Sequence, residues 1–134
     1  MAVDVRYAIV VGRFYEELAD RLVASATRVF EAAAADAVDV FDVPGAFELP
    51  FGALMAAQTG RYAGIACLAA DDRAEAARGI QDVGLRTGVP CGFGVLTVEN
   101  MDQALARSGG DKRDEGADAA HAVLALAAIR AELA

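Results

Sequence analysis

YAIVVGRFYEELADRLVASATRVF, residues Tyr7–Phe30, changes its hydrophobic period at Gly12. Before the glycine, Tyr7–Val11 is an unbroken β-rich apolar run, the pattern of a buried strand. After it, Leu18, Leu22, Ala26, Val29 and Phe30 recur at helical spacing, which predicts one amphipathic helix over Glu16–Ala35. The same strand-then-helix unit repeats outward. Val38–Val43 reads as a strand broken by Pro44-Gly45, and Glu48–Thr59 as a helix closed by Gly60. Ile65–Ala69 is a short buried strand, Glu75–Thr87 a helix stopped by Gly88 and Pro90, and Phe93–Val98 a fourth strand. Asn100 fits the N-cap of a short helix through Arg107; beyond the polar Ser108–Glu115, a last helix runs from about Ala117 to Leu133. Strands apolar on both faces and separated by helices predict a three-layer α/β fold, a parallel sheet flanked by helices. Ligands of such sheets bind at the carboxyl ends of the strands. Here those ends are Gly12–Phe14, Pro44–Glu48, Ala69–Arg73 and Thr97–Glu99.

A length of 134 residues without linker or repeat predicts one domain over 1–134. The 56% hydrophobic content, rich in alanine, excludes a disordered chain and suggests apolar surface shared with neighbouring subunits. A net charge of −8 argues against nucleic acid as a partner, although 12 Lys and Arg suffice for one local anion site. Cys67 and Cys91, each inside an apolar run, are expected as buried free thiols. No apolar run is long enough for a membrane span, and MAVDVRYAIVV has neither a basic head nor a cleavage site; a cytoplasmic protein without a membrane partner is expected.

Three segments together, VVGRF (Val10–Phe14), VPGAFELP (Val43–Pro50) and FGVLTVENMDQALAR (Phe93–Arg107), resemble the 6,7-dimethyl-8-ribityllumazine synthase family in order and over nearly the whole chain. The resemblance implies a flavodoxin-like fold with a four-stranded parallel sheet, and a homopentamer or a multiple of pentamers with its site between adjacent subunits. It implies condensation of 5-amino-6-(D-ribitylamino)uracil with 3,4-dihydroxy-2-butanone 4-phosphate in riboflavin biosynthesis, with no metal or organic cofactor. Phe14 then matches the aromatic that stacks on the pyrimidine; its alternative is an ordinary core Phe. Gly45, Ala46 and Phe47 match substrate-holding backbone, where a Pro-Gly turn before a helix leaves N–H groups for a ligand; the alternative is a plain turn. Glu48 matches the carboxylate that accepts from ribityl hydroxyls, while also suiting the first turn of a helix. Phe93 matches an aromatic contributed by the neighbouring subunit, and Arg107 the phosphate-gripping arginine; alone they would read as a strand residue and a solvated helix end.

The resemblance fails between Arg73 and Glu75, where the family carries a Gly–Thr phosphate cradle and the catalytic histidine. Roughly ten residues are missing there, ~15 Å if helical. The only histidine, His121, falls in the last helix, away from the strand ends. Glu115 stands where the family has a lysine, beside Lys112 and Arg113, either of which compensates if the loop shifts; a solvated loop is the alternative. Asp71 and Asp72 sit at the third strand end, where a carboxylate could serve as a substitute base; a solvated or helix-capping role is the alternative. These departures predict an impaired or repurposed synthase, or a non-catalytic lumazine- or flavin-binding or assembly protein of the same fold.

Overall fold

The structure, a computed structural model, describes residues 4–70, 76–97, 101–109 and 113–134. Strands β1 (Arg6–Gly12), β2 (Ala37–Val43), β3 (Gly64–Ala70) and β4 (Cys91–Leu96) form one four-stranded sheet in the order β2-β1-β3-β4. Every pairing is parallel. Gly12 pairs with Val43, Val11 with Leu68, and Ala70 with Leu96, so the carboxyl ends of all four strands lie along one edge.

Helices α1 (Glu16–Ala32), α2 (Leu49–Gln58), α3 (Ala76–Thr87), α4 (Met101–Arg107) and α5 (Glu115–Leu133) complete the described elements. The period-2 alternation of the strands divides the core in two. Tyr7, Ile9, Val11, Ala66 and Leu68 pack with α1 and α5 residues such as Leu22, Phe30 and Val123. Ala8, Val10, Ile65, Cys67 and Ala69 pack with Leu49, Ala53, Ile80 and Val83 of α2 and α3. This is the three-layer arrangement expected from the strand–helix alternation, with the four-stranded flavodoxin-like sheet that the family resemblance implies.

Several boundaries differ from expectation for physical reasons. Helix α1 ends at Ala32, not Ala35: Ala34 adopts a left-handed φ of 63°, and the N–H groups of Ala34 and Ala35 return to Glu31 O and Phe30 O. That Schellman closure was hidden because alanine stands where glycine usually serves. Ala46–Glu48 is a 3₁₀ turn, and α2 begins only at Leu49. Strand β4 starts at Cys91, two residues before the expected Phe93, and ends at Leu96 rather than Val98. Strand β2 is not covered on both faces: it is an edge strand whose Val40 and Phe41 are exposed. Its Asp39 and Asp42 are accommodated at that edge, Asp39 accepting from Tyr62 Oη at 2.7 Å. The expected Asn100 cap lies outside the described residues. No described helix is long and apolar enough to cross a membrane.

Helix α5 approaches the sheet closely over β4. A Cβ on Gly92 would lie 2.3 Å from the Ala119 carbonyl oxygen. Gly92→Ala is therefore expected to lower unfolding free energy by about 1–3 kcal/mol, read from urea denaturation, because a helix backbone must move aside.

Candidate functional site

The strand-end edge carries the first group of site residues. Gly12 terminates β1 where the turn after β2 crosses it: a Cβ there would meet Gly45 C at 2.9 Å, Gly45 Cα at 3.0 Å and Ala69 Cβ at 3.1 Å. Only a residue without a side chain lets the ends of β1 and β3 and the Pro44-Gly45 turn converge. The Gly45 N–H donates to Glu48 Oε1 at 3.0 Å, and the Glu48 N–H to Gly45 O at 3.2 Å. Glu48 thereby fixes its own carboxylate through the reach-back half of a capping box. The Gly45 N–H, expected to be open to a ligand, is thus already used, while those of Ala46 and Phe47 meet no acceptor among the described residues. Glu48 Oε2 receives no hydrogen bond among the described residues and remains an acceptor.

Ala46 is fully buried and anchors this turn, whereas Phe47 is 74% exposed. Phe14, two residues past β1, is 68% exposed and is not a core Phe; its ring meets Tyr15 edge-on at 4.9 Å between centroids. Its loop is tied down by Arg13, which sequence reasoning passed over. The Arg13 N–H donates to Val43 O at 2.9 Å and its Nε–H to Asp42 Oδ1 at 2.8 Å, while Nη1 pairs with Asp20. Hydrogen bonding to Asp42, then to Asp20, raises the Arg13 pKa against the opposing effect of burial. Arg13 thus links β1, the end of β2 and α1 behind Phe14.

The second group lies elsewhere in the protomer. Phe93, 41% exposed on β4, lines an apolar cavity of about 640 Å³ between α3, β4 and α5 with Leu85, Cys91, Leu126 and Ile129. Ala46 and Phe47 instead line a separate cavity of about 440 Å³ with Pro50, Phe51, Leu54 and Val83. Within one protomer, then, Phe93 does not share a cavity with the strand-end turn. Arg107 closes α4, half-buried, with no hydrogen bond or ion pair among the described residues.

Glu115 opens α5, where the helix N-terminus favours a carboxylate. Arg113 Nε approaches Glu115 Oε1 at 3.4 Å, and its Nη2 approaches Asp118 at 3.5 Å. Arg113 thus offsets the Glu115 charge rather than standing free for a substrate anion. His121 is exposed on α5 beside Ser25 and Arg28 of α1, as expected for a histidine away from the strand ends. Asp71, Asp72, Arg73 and Lys112 lie outside the described residues. Among the described residues no cluster of metal-ligating side chains occurs.

Cys67 is fully buried as expected, but Cys91 is only half-buried and faces the larger cavity; both are free thiols. Burial pushes the Cys91 thiol up to about 11. A proton held more tightly in the folded chain contributes stability that is complete below the unfolded value of 9.0 and is lost as pH rises through about 11. Urea midpoints are thus expected to fall between those pH values, and to fall less in Cys91→Ala. Cys67, Tyr7 and Tyr62, also raised by burial, keep part of the slope.

Taken together, the parallel three-layer sheet defines a flavodoxin-like α/β protein, and the capped turn, exposed aromatic and fixed carboxylate at its carboxyl edge form the candidate site. Residues 4–131 match the family of 6,7-dimethyl-8-ribityllumazine synthase, and the chain belongs to that family. It is 38% identical to the chloroplastic 6,7-dimethyl-8-ribityllumazine synthase of Spinacia oleracea over 92% of this chain, spanning 61% of that protein's length. Identity is 35% to the synthase of Nitratidesulfovibrio vulgaris (strain DP4), over 98% of this chain and 92% of that protein. It is 39% to that of Chlorobium luteolum, over 89% and 84%. The N. vulgaris alignment runs over 144 positions with 98% of this chain's 134 residues, so that relative carries residues this chain lacks.

Proposed function

We propose that this protein binds the ribityl-pyrimidine substrate and the lumazine product of riboflavin biosynthesis, and performs the family condensation with reduced turnover. The observation that carries this reading is the strand-end turn, where Glu48 is held by the Gly45 N–H at 3.0 Å, on the same carboxyl edge of the sheet from which the exposed Phe14 follows β1. A pre-fixed carboxylate accepts ribityl hydroxyls without ordering cost, and a flat aromatic face gives the heterocycle a platform. Phe14, Gly45, Ala46, Phe47 and Glu48 form one wall; Phe93 and Arg107 of a neighbouring subunit form the other, with Arg107 gripping the phosphate.

The apolar surface supports assembly. Phe47, Phe51 and Met55 of one face, and Leu85, Phe93, Leu126 and Ile129 around the larger cavity, are exposed in the single protomer. Patches of this kind are usually covered by another chain. A homopentamer, or a multiple of pentamers, joins the two walls. The free thiols fit a reducing compartment such as the cytoplasm.

A second reading, a binding or assembly protein without turnover, is favoured by one observation: the only histidine is exposed on α5. Incubation with 5-amino-6-(D-ribitylamino)uracil and 3,4-dihydroxy-2-butanone 4-phosphate separates them by lumazine fluorescence. Slow product formation is expected. Micromolar lumazine binding without product would establish the second reading, and absence of both would refute the site.

A further inference from the structure

The end of α4 is held by a side chain from a distant part of the chain. Arg21, in the second turn of α1, donates its Nε–H to Ser108 Oγ at 3.0 Å and an Nη2–H to the Leu105 carbonyl at 2.9 Å. Ser108 is almost completely buried and passes its own hydrogen to Ala104 O at 2.9 Å. From the other side, the Arg113 N–H donates to Ala106 O at 3.2 Å, and Ser108 bridges to Asp114. Arg107 sits between these anchored neighbours.

A helix of seven residues in which only Ala104 is buried has little to define its position. Its last carbonyls need donors, and a cation there also complements the helix dipole. Arg21 supplies both. Its planar fork reaches a backbone carbonyl and a side-chain hydroxyl at once, which a compact ammonium does less well. The guanidinium of Arg107 is unpaired among the described residues, so its placement depends on the backbone that carries it.

We infer that Arg21 is a positioning residue for an anion-binding Arg107, fixing the α4 terminus through Leu105 O and Ser108 Oγ. The inference rests on the proposed phosphate role of Arg107 and adds the residue that sets its geometry. Arg21 does not touch the anion. Its removal leaves the strand-end turn around Glu48 in place.

The test uses the full-length protein and inorganic phosphate as probe, titrated calorimetrically, with 6,7-dimethyl-8-ribityllumazine titrated separately by fluorescence. Arg107→Ala is expected to abolish measurable phosphate binding. Arg21→Ala is expected to weaken it about tenfold, since small displacements of a gripping group are costly. Arg21→Lys should recover part of the loss, and Ser108→Ala should weaken binding about two- to threefold. Lumazine affinity should be unchanged in the Arg21 and Ser108 variants. Phosphate binding by Arg21→Ala equal to wild type, with Arg107→Ala deficient, would overturn the inference. So would a parallel loss of lumazine affinity, which marks general damage. Should Arg21→Ala not fold, Arg21→Lys and Ser108→Ala carry the same comparison. Undiminished phosphate binding by Arg107→Ala would remove Arg107 from the site and the inference with it. Lack of turnover in the wild type alone would refute the catalytic reading while the phosphate titration still decides this one.

Discussion

Glu48→Ala is expected to weaken binding of 6,7-dimethyl-8-ribityllumazine by about 100-fold or more, followed by fluorescence titration. Each hydrogen bond to a charged group contributes ~1.5–3 kcal/mol, and a carboxylate facing a polyol chain makes more than one. The substitution also removes the acceptor of the Gly45 N–H at 3.0 Å, so unfolding free energy should drop by about 1 kcal/mol. Glu48→Gln separates the two effects. Its amide oxygen still accepts from Gly45, restoring most of the stability, whereas the lost charge leaves affinity about tenfold low. Unchanged affinity in Glu48→Ala would remove this residue from the ligand's surroundings, whatever happened to stability.

The second large effect concerns turnover. If the family's reaction uses the histidine that the resemblance implies, the proposed site has no counterpart for it, since the single histidine of the sequence, His121, is exposed on α5. A positioned general acid/base is worth ~10²–10⁴-fold, so kcat should lie that far below that of a synthase retaining the histidine. Proximity of two bound substrates still supplies ~7–11 kcal/mol, which is why some turnover is expected. Added imidazole should raise the rate in a saturable manner, while His121→Ala leaves it unchanged. A kcat equal to that of a histidine-bearing relative, or its loss in His121→Ala, would contradict this account.

The sheet was legible in the sequence because its signals are local. Tyr7–Val11 and Ile65–Ala69 are continuous apolar runs, and Gly60 and Gly88 both take the positive φ their helix-ending positions call for. Ala34 adopts the same conformation without the glycine that announces it, so the sequence pattern does not reveal the end of α1. The turn at Pro44–Glu48 was readable as a strand-breaking motif. That Glu48 spends one oxygen on Gly45 was not, since a cap and a ligand contact use the same residue type. Arg13 and Arg21 carried no signal at all. Their partners Asp42 and Ser108 lie 29 and 87 residues away, and a single arginine in a loop or on a helix predicts nothing about such distant acceptors. The exposure of Phe93 likewise depends on β4 being a sheet edge, a property of strand order.

The proposal places the site where two copies meet, with Glu48 and Phe14 given by one and Phe93 and Arg107 by the other. Mixing unfolded Glu48→Ala chains with Phe93→Ala chains and refolding them together tests this most directly, with hybrid assemblies verified by native mass. Each variant alone should bind 6,7-dimethyl-8-ribityllumazine poorly, and the hybrids should regain a fraction of wild-type sites with wild-type affinity. Hybrids that form but recover no high-affinity sites would contradict a shared site, as would a wild-type protein that is monomeric and still binds tightly.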